Sequence, residues 1–236
     1  MPVYEGVHAH PDGDSTVARF AATAAEYGLD GVVVRNHSDA TADYDRARIA
    51  EEYGVDMVDA IEIRADNPDV ASGHVGNYRP KQTILALHGG TNALNRFAVE
   101  SDRVDVLAHP MRERGDFNHV LAKAAVEHGV RVEFDLARVL RNDGGPRVQA
   151  LQDLRKLREL VEKYDAPYVV SANPRSHLQL RAPRELAAVG EAIGFSTDQI
   201  RQGLEEWAVL AERNRERMSD EFIAPGVKRG RYEEEP

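Results

Sequence analysis

Short apolar runs rich in β-branched residues alternate with longer segments of helical period along most of the chain. Such runs predict strands, and the segments between them predict amphipathic helices. Glycines stand where several of these helices should end, as at Gly28, Gly54 and Gly129. Seven strands are predicted in this way, at residues 3–9, 31–36, 57–64, 83–88, 104–108, 131–135 and 168–171.

Regular alternation of strand and helix is typical of a parallel sheet with crossover helices. Seven repeats without a dinucleotide-binding break predict an α/β fold, a TIM-like barrel of about seven parallel strands with outer helices. Residues 65–80 contain proline and glycine and are predicted to form an irregular loop, whereas helices near 184–193 and 198–217 follow the last strand. An apolar stripe on the last helix predicts barrel packing or, alternatively, a partner contact: Ile200, Leu204, Trp207 and Ala211.

The pattern also predicts the domain organisation. No linker divides residues 1–221, which we expect to form a single barrel domain. Residues 222–236 are rich in Gly, Pro, Arg and Glu and lack periodicity, so they are predicted to be a mobile C-terminal tail. No apolar run is long enough to span a bilayer, and the N-terminus lacks the plan of a signal peptide. We therefore expect a cytoplasmic protein without a membrane partner.

Composition changes this picture in two respects. The 236 residues include no cysteine, which excludes disulfides, thiolate metal sites and a cysteine nucleophile. The formal net charge is −10, which by itself argues against nucleic acid as a partner. Abundant acid with few lysines nevertheless predicts a salt-adapted surface, on which screening weakens the repulsion of RNA. The placement of the arginines therefore matters more than the net charge, because their planar guanidinium suits phosphate.

Histidines and carboxylates gather at the predicted ends of the strands, where the working site of such a barrel lies. His8 and His10 stand two residues apart at the end of the first strand and are predicted to project from the same side. This pair suits two ligands of one metal cluster or two contacts to one phosphate. Later strand ends extend the predicted metal-binding set to His8, His10, His37, Glu62 and His109. Imidazole and carboxylate without thiolate suit zinc, manganese or iron in phosphoester hydrolysis.

Four short motifs, H-A-H, R-N-H, I-E-I and A-H-P, resemble those of the polymerase-and-histidinol-phosphatase (PHP) superfamily of barrel phosphoesterases. Longer segments are similar to the archaeal ribonuclease P protein component 3 family, and their order and spacing cover nearly the whole chain. These segments are L-H-G-G-T-N-A-L-N-R-F-A-V-E at 87–100, V-D-V-L-A-H-P at 104–110, V-E-F-D-L-A-R-V-L-R at 132–141 and L-R-A-P-R-E-L-A-A-V-G-E-A-I-G at 180–194. The acidic, lysine-poor composition indicates a member from a halophilic archaeon.

The resemblance implies a PHP-like barrel that serves as a protein subunit of ribonuclease P, the ribonucleoprotein that removes the 5′ leader from precursor tRNA. In this family the RNA subunit carries the chemistry, so no residue of the chain is expected to be catalytic, and magnesium would belong to the RNA. The implied partners are ribonuclease P RNA, precursor tRNA within the holoenzyme, ribonuclease P protein component 2 and the other protein subunits.

One departure from the superfamily pattern concerns the last motif, which normally supplies an Asp and a His. Here the matching stretch reads S-A-N-P-R, with Asn173 in place of the acid and Arg175 beside it. An amide is a poor metal ligand, and the arginine would repel a cation and attract a phosphate. The predicted site is therefore a degenerate phosphoesterase site. Two alternatives stay open for it, a weakly held zinc, manganese or iron ion, or histidines that only donate and accept hydrogen bonds.

Arginines near the strand ends and in the family-like segments are candidates for RNA contact. The predicted RNA-binding residues are Arg35, Asn36, Arg64, Arg96, Arg138, Arg141, Arg175 and Arg181. The alternative for each arginine is a surface salt bridge in a chain rich in acid. At the level of function, a non-catalytic ribonuclease P subunit competes with a stand-alone metal-dependent phosphoesterase, and a barrel enzyme of unrelated chemistry rests on fold analogy alone.

Overall fold

The computed structural model describes residues 1–219, 222–224 and 227–228. Seven parallel strands form one sheet in which each strand pairs with the next along the chain. The register of the first pair places Tyr4 beside Gly31, and that of the last places Val132 beside Tyr168. The strands are β1 (Tyr4–Val7), β2 (Gly31–Val34), β3 (Asp56–Ile63), β4 (Ile84–His88), β5 (Val106–Ala108), β6 (Arg131–Asp135) and β7 (Tyr168–Ser171). The predicted α/β barrel is confirmed.

Helices follow every strand, and short polar side chains begin most of them. Thr16, Asp45, Asn67, Thr91 and Asn118 each accept a hydrogen bond from a backbone amide of the first turn. The helices are α1 (Val17–Tyr27), α2 (Arg46–Tyr53), α3 (Pro68–Tyr78), α4 (Asn92–Val99), α5 (His119–His128), α6 (Ala137–Arg141), α7 (Gly144–Tyr164), α8 (Pro183–Ile193) and α9 (Thr197–Met218). No helix in the described ranges is both long and apolar enough to cross a membrane.

The prediction of an irregular loop over residues 65–80 is wrong, because α3 lies within it. Asn67 caps this helix, and Pro68 occupies its first turn, where a missing amide hydrogen costs nothing. Proline here begins a helix instead of preventing one. Gly73 and Gly76 remain helical, since a glycine in a helix costs only about 1 kcal/mol relative to alanine.

The seam between β1 and β7, the two ends of the sheet, is bridged by side chains. The buried carboxylate of Glu5 accepts hydrogen bonds from Ser171 Oγ at 2.5 Å and from the Ala172 amide at 3.0 Å. Trp207 of α9 is fully buried and donates from Nε1 to the Val170 carbonyl at 2.9 Å. Helix α9 packs on both edge strands and thereby stabilises the seam. The apolar stripe on this helix is therefore a packing surface of the barrel, which is one of the two roles predicted for it.

Strand residues alternate between two apolar clusters. Val33, Val58, Ile84 and Val106 point into the barrel together with Trp207, and the intervening strand positions pack against the outer helices. The predicted mobile tail at 222–236 falls largely outside the described residues. Within it the structure describes a short antiparallel pair, β8 (Phe222–Ala224) and β9 (Val227–Lys228).

Candidate functional site

Inward-facing positions at the C-terminal ends of the strands carry the polar residues of the site. The alternation that turns Val33 and Val58 into the barrel also turns inward the polar residues further along the same strands. These residues are His8, Arg35, His37, Glu62, His88, Glu133 and Asp135. The first six are bonded or closely paired to one another, and Asp135 pairs with His109, which follows β5. The site therefore continues the inward-facing side of the strands beyond the apolar interior, with the same alternation of side chains.

Glu62 is the centre of this site, and its carboxylate is fully buried. Its Oε1 lies 2.6 Å from His88 Nδ1, 3.3 Å from His109 Nε2 and 3.4 Å from His37 Nε2. Its Oε2 lies 3.6 Å from His8 Nε2. Four imidazoles therefore converge on one carboxylate, and the rings of His8 and His37 stack with centroids 4.6 Å apart.

A special backbone conformation brings His109 to the site. Strand β5 ends at Ala108, and His109 has a φ of 54°, in the left-handed region that residues other than glycine rarely adopt. Its ring is buried, and Nδ1 lies 2.9 Å from Asp135 Oδ2. Burial lowers the pKa of His109, but the charges of Glu62 and Asp135 outweigh burial and raise it to about 9. His109 is therefore held as a cation beside two carboxylates.

Asp12, in the loop after β1, orients two of the rings. Its Oδ2 lies 2.7 Å from His8 Nδ1 and 2.6 Å from His37 Nδ1, and it also accepts from the His37 amide at 3.0 Å. Burial would raise the pKa of this carboxyl, but the hydrogen bonds from His37 and His8 hold it well below its usual range. Asp12 is therefore ionised at any physiological pH.

Arg35 lies one inward position below His37, in the closed part of the barrel. Its side chain is fully buried, with the guanidinium carbon 5.4 Å from the centre of the Trp207 ring. Glu62 Oε2 accepts from Arg35 Nε at 3.1 Å and from Nη2 at 2.5 Å, and Glu133 accepts from both terminal nitrogens. One guanidinium thus pairs with two buried carboxylates of the site and balances the charge of one of them.

A cavity of about 740 Å³ opens above the histidines at the mouth of the barrel. His8, His37, His88 and His109 line it, together with Asn173. The charged side chains of the lining are four arginines and two carboxylates, namely Arg64, Arg112, Arg141, Arg175, Asp66 and Glu113. A chain with a net charge of −10 therefore surrounds this cavity with more positive than negative groups.

The predicted metal-binding residues fall into two groups. His8, His37, Glu62 and His109 come together in the cluster. His10 does not, because β1 ends at Val7 and the chain turns before the next position of the same face is reached. The side chain of His10 is exposed, and only its backbone amide is bonded, to the Ser15 carbonyl. The expectation that His8 and His10 project from one side is therefore corrected.

Two of the predicted RNA-binding residues lie where RNA cannot reach them. Arg35 is enclosed by Glu62 and Glu133, as described above. Asn36 is buried, and its amide accepts from the Ala9 N–H and donates to the carbonyls of Ala9 and Ala40. Arg35 supplies charge to the interior, and Asn36 fixes the loops after β1 and β2.

The remaining arginines divide between the cavity and the outer surface. Arg64, Arg141 and Arg175 line the cavity. Arg96 pairs with Glu100 at 2.8 Å on α4, and Arg138 pairs with Asp153 at 3.2 Å between α6 and α7. Arg181 donates to the carbonyls of Leu178 and Leu180. For Arg96 and Arg138 the structure thus contains the surface salt bridges that were the alternative to RNA contact.

Several residues of the site are absent from the predicted set. His88 ends β4 on an inward position, so the alternation within its strand was a usable signal. Asp12, Arg112 and Asp135 lie near strand ends as well, but their roles depend on contacts between distant loops. Arg112, for example, donates to Asp135 Oδ2 at 3.2 Å across the mouth.

The donor atoms around Glu62 Oε1 fit one metal ion of the zinc type. Ligand atoms about 2.1 Å from a tetrahedral zinc lie about 3.4 Å from each other, which matches the 3.4 Å from Glu62 Oε1 to His37 Nε2. His88 Nδ1, 2.6 Å from the same oxygen, completes a group of three possible ligands. Among the described residues, His37 Nε2 has no hydrogen-bond partner. A second ion fits less well, because Arg35 already engages Glu62 Oε2 and Asn173 offers no carboxylate. The other group of possible ligands, His8, Asp12 and His37, shares His37 with the first.

Fold and site together define a class of protein, an α/β barrel with a histidine–carboxylate cluster of the phosphoesterase type at its mouth. The family model of RNase P subunit p30 matches residues 4–219. A relative from Haloarcula marismortui, ribonuclease P protein component 3, is 62% identical over 96% of this chain and 96% of its own length. The chain therefore belongs to the RNase P subunit p30 family, which confirms the predicted resemblance and the prediction that it is a ribonuclease P protein subunit.

Two solved structures share the fold. A chain of an archaeal ribonuclease P determined with mature tRNA has a TM-score of 0.82 at 24% identity, over 98% of this chain and 100% of that chain. A Lactococcus lactis histidinol phosphate phosphatase, solved with zinc, L-histidinol and phosphate, has a TM-score of 0.56 at 9% identity, over 82% and 94%. At these identities the likeness concerns the fold alone, an α/β barrel of parallel strands.

Proposed function

We propose that this subunit supports the catalytic RNA of ribonuclease P during removal of the 5′ leader from precursor tRNA and does not perform the chemistry itself. The family match over residues 4–219 supports the particle and its reaction. The supporting role rests on Arg35, whose guanidinium engages both deep carboxylates of the cluster. A hydrolase that uses two metal ions needs such carboxylates as ligands, and here they already neutralise a side chain.

The cluster is nevertheless proposed to bind a single divalent ion, held by His37, Glu62 and His88, whose ligand atoms all lie within 4.8 Å of one another. Zinc, manganese and iron all suit these ligands. Such an ion would polarise a phosphate oxygen in contact with it. Magnesium, which prefers oxygen ligands, belongs in this proposal to the RNA subunit.

RNA contact is proposed for the loops that follow β5, β6 and β7. These loops and the helix starts beside them contain Arg112, Arg114, Arg138, Arg141, Arg147, Arg175, Arg181 and Arg184. The loops after β1 and β2 are acidic instead, with Asp14, Asp39, Asp43 and Asp45. The uneven distribution favours one side of the mouth as the side that faces RNA. The predicted partners follow: ribonuclease P RNA, precursor tRNA in the holoenzyme, protein component 2 and the other protein subunits, all in the cytoplasm.

Reconstitution tests this proposal. Ribonuclease P RNA and the other protein subunits are assembled in concentrated KCl with or without this chain, and leader cleavage of precursor tRNA is measured. We expect the chain to raise the cleavage rate, and the double variant His8→Ala with His10→Ala to retain most of that support if its circular dichroism is native. An unchanged rate on addition of the wild-type chain would overturn the proposed function.

A phosphodiesterase assay tests the alternative of a stand-alone phosphoesterase. This alternative is tested because the histidines still surround Glu62. The isolated chain is incubated with bis(p-nitrophenyl) phosphate and with zinc, manganese or iron in turn. We expect no turnover above that of the metal alone. Turnover that disappears in His37→Ala would show that the chain itself is a catalyst.

A further inference from the structure

Several arginines and imidazoles at the mouth of the barrel share a small number of carboxylates. Asp12 alone faces four donors, because Arg175 Nη2 lies 2.9 Å and Arg64 Nη2 3.9 Å from its Oδ1, while His8 and His37 share its Oδ2. A single carboxylate is therefore the shared partner of two guanidiniums and two imidazoles.

The opposite side of the mouth repeats this arrangement. Asp135 is the shared partner of Arg112, at 3.2 Å, and of His109, at 2.9 Å. Among the described residues, Arg141 donates only to carbonyls, that of Ala172 at 2.7 Å and that of Asn173 at 3.1 Å. Those carbonyls satisfy its N–H groups without neutralising its charge.

We propose that the four arginines of the mouth, Arg64, Arg112, Arg141 and Arg175, form a binding site for a phosphate group inside the 740 Å³ cavity. Guanidinium groups form paired hydrogen bonds with phosphate oxygens, and several of them can share one phosphate. The volume lies in the range of pockets that hold a small organic ligand, so the cavity has room for a nucleoside next to the phosphate. This inference rests on the proposed function, so the RNA partner is the expected source of the phosphate. Free inorganic phosphate is the other source.

The site lies on the proposed RNA-facing side of the mouth, because Arg112, Arg141 and Arg175 belong to both, and Arg64 adds a guanidinium from the end of β3. A phosphate bound there would lie above His37 and His109. Asn173 lines the same space and is 7% exposed. An acidic residue at this position would have repelled an anion.

Two matched variants test the site. The first carries Arg141→Gln with Arg175→Gln at the mouth. The control carries Arg201→Gln with Arg217→Gln, two exposed positions on α9. Inorganic phosphate and chloride are compared at equal ionic strength for their effect on the melting temperature of the complete chain. We expect phosphate to raise the melting temperature of the wild type and the control, and to have no greater effect than chloride on the mouth variant.

Affinity for a single-stranded oligoribonucleotide, measured over a range of KCl concentrations in which circular dichroism is unchanged, separates the two sources. Loss of the contact to one phosphate should make the log–log salt slope about 0.7 shallower in the mouth variant than in the control. A phosphate effect with equal slopes would mean that the site takes free phosphate, and it would overturn the RNA source. No phosphate-specific effect in the wild type would overturn the site. Normal support of leader cleavage in either case would leave the proposed function standing.

Discussion

Replacing Arg35 by methionine isolates the main electrostatic feature of the interior. The substitution removes a fully buried guanidinium and leaves Glu62 and Glu133, each at most 1% exposed, without their shared cation. Loss of one partner from a buried ion pair costs about 3–5 kcal/mol. Since two carboxylates lose their partner here, we expect the free energy of unfolding to fall by about 5 kcal/mol, a large part of the total stability of an ordinary domain.

A compensated variant separates charge from packing. Arg35→Met combined with Glu62→Gln and Glu133→Gln removes the charges together, and replacement of a whole buried ion network by neutral groups is often close to neutral. We expect the triple variant to unfold within about 2 kcal/mol of the wild type. The surface control Arg201→Gln breaks only an exposed pair with Glu205 and should cost less than about 1 kcal/mol.

The assay is urea denaturation in concentrated KCl, followed by far-ultraviolet circular dichroism and by fluorescence. Trp207 is the single tryptophan of the chain, and the Arg35 guanidinium carbon lies 5.4 Å from its ring centre, so fluorescence reports on this part of the interior. A loss below about 1 kcal/mol in Arg35→Met would refute the reasoning. So would a triple variant that is no more stable than the single one.

Three further predictions concern other parts of the chain. Burial raises the pKa of Glu5 from 4.5 to about 7. Ionisation of Glu5 therefore lowers the free energy of unfolding as the pH rises through that interval, by at most about 3 kcal/mol. Urea denaturation at pH 5 and pH 8 should show that Glu5→Gln gains stability relative to the wild type at the higher pH, and an unchanged difference would contradict this. Equilibrium dialysis against zinc should give one ion per chain and none in His37→Ala, and two ions per wild-type chain would show that Arg35 does not exclude the second. A chain truncated after residue 221 should keep the melting temperature of the full chain, since residues 1–221 are proposed to be the folding unit, and a large decrease would move that boundary.

The alternation of strand residues could be read from the sequence, and it accounts for most of the site. The strand positions that turn Val33 and Val58 inward also turn in Arg35 and Glu62, and this parity needs no knowledge of distant contacts. His10 shows where the rule fails. A period of two holds only while the chain is extended, and β1 ends at Val7, three residues earlier.

Other features could not be predicted because they depend on the folded surroundings. His109 enters the site through a left-handed backbone conformation held by its neighbours, and the sequence around it gives no sign of this. The burial of Arg35 was equally hidden, since arginine is rarely enclosed and its two partners lie 27 and 98 residues away. For this reason a side chain that pairs with buried carboxylates was predicted to contact RNA.

The enclosed guanidinium also explains how a cluster of the phosphoesterase type can persist in an RNA-supporting subunit. Carboxylates gathered inside a barrel must be neutralised, because their repulsion in a low-dielectric interior is strong. In a hydrolase, metal ions do this and are then available for chemistry. Arg35 balances one of these charges with a group that cannot dissociate, and His109, whose pKa is raised to about 9, supplies a second positive charge beside Glu62, so the barrel can fold without first acquiring a pair of ions. The four arginines of the mouth, Arg64, Arg112, Arg141 and Arg175, are the groups proposed to bind a phosphate.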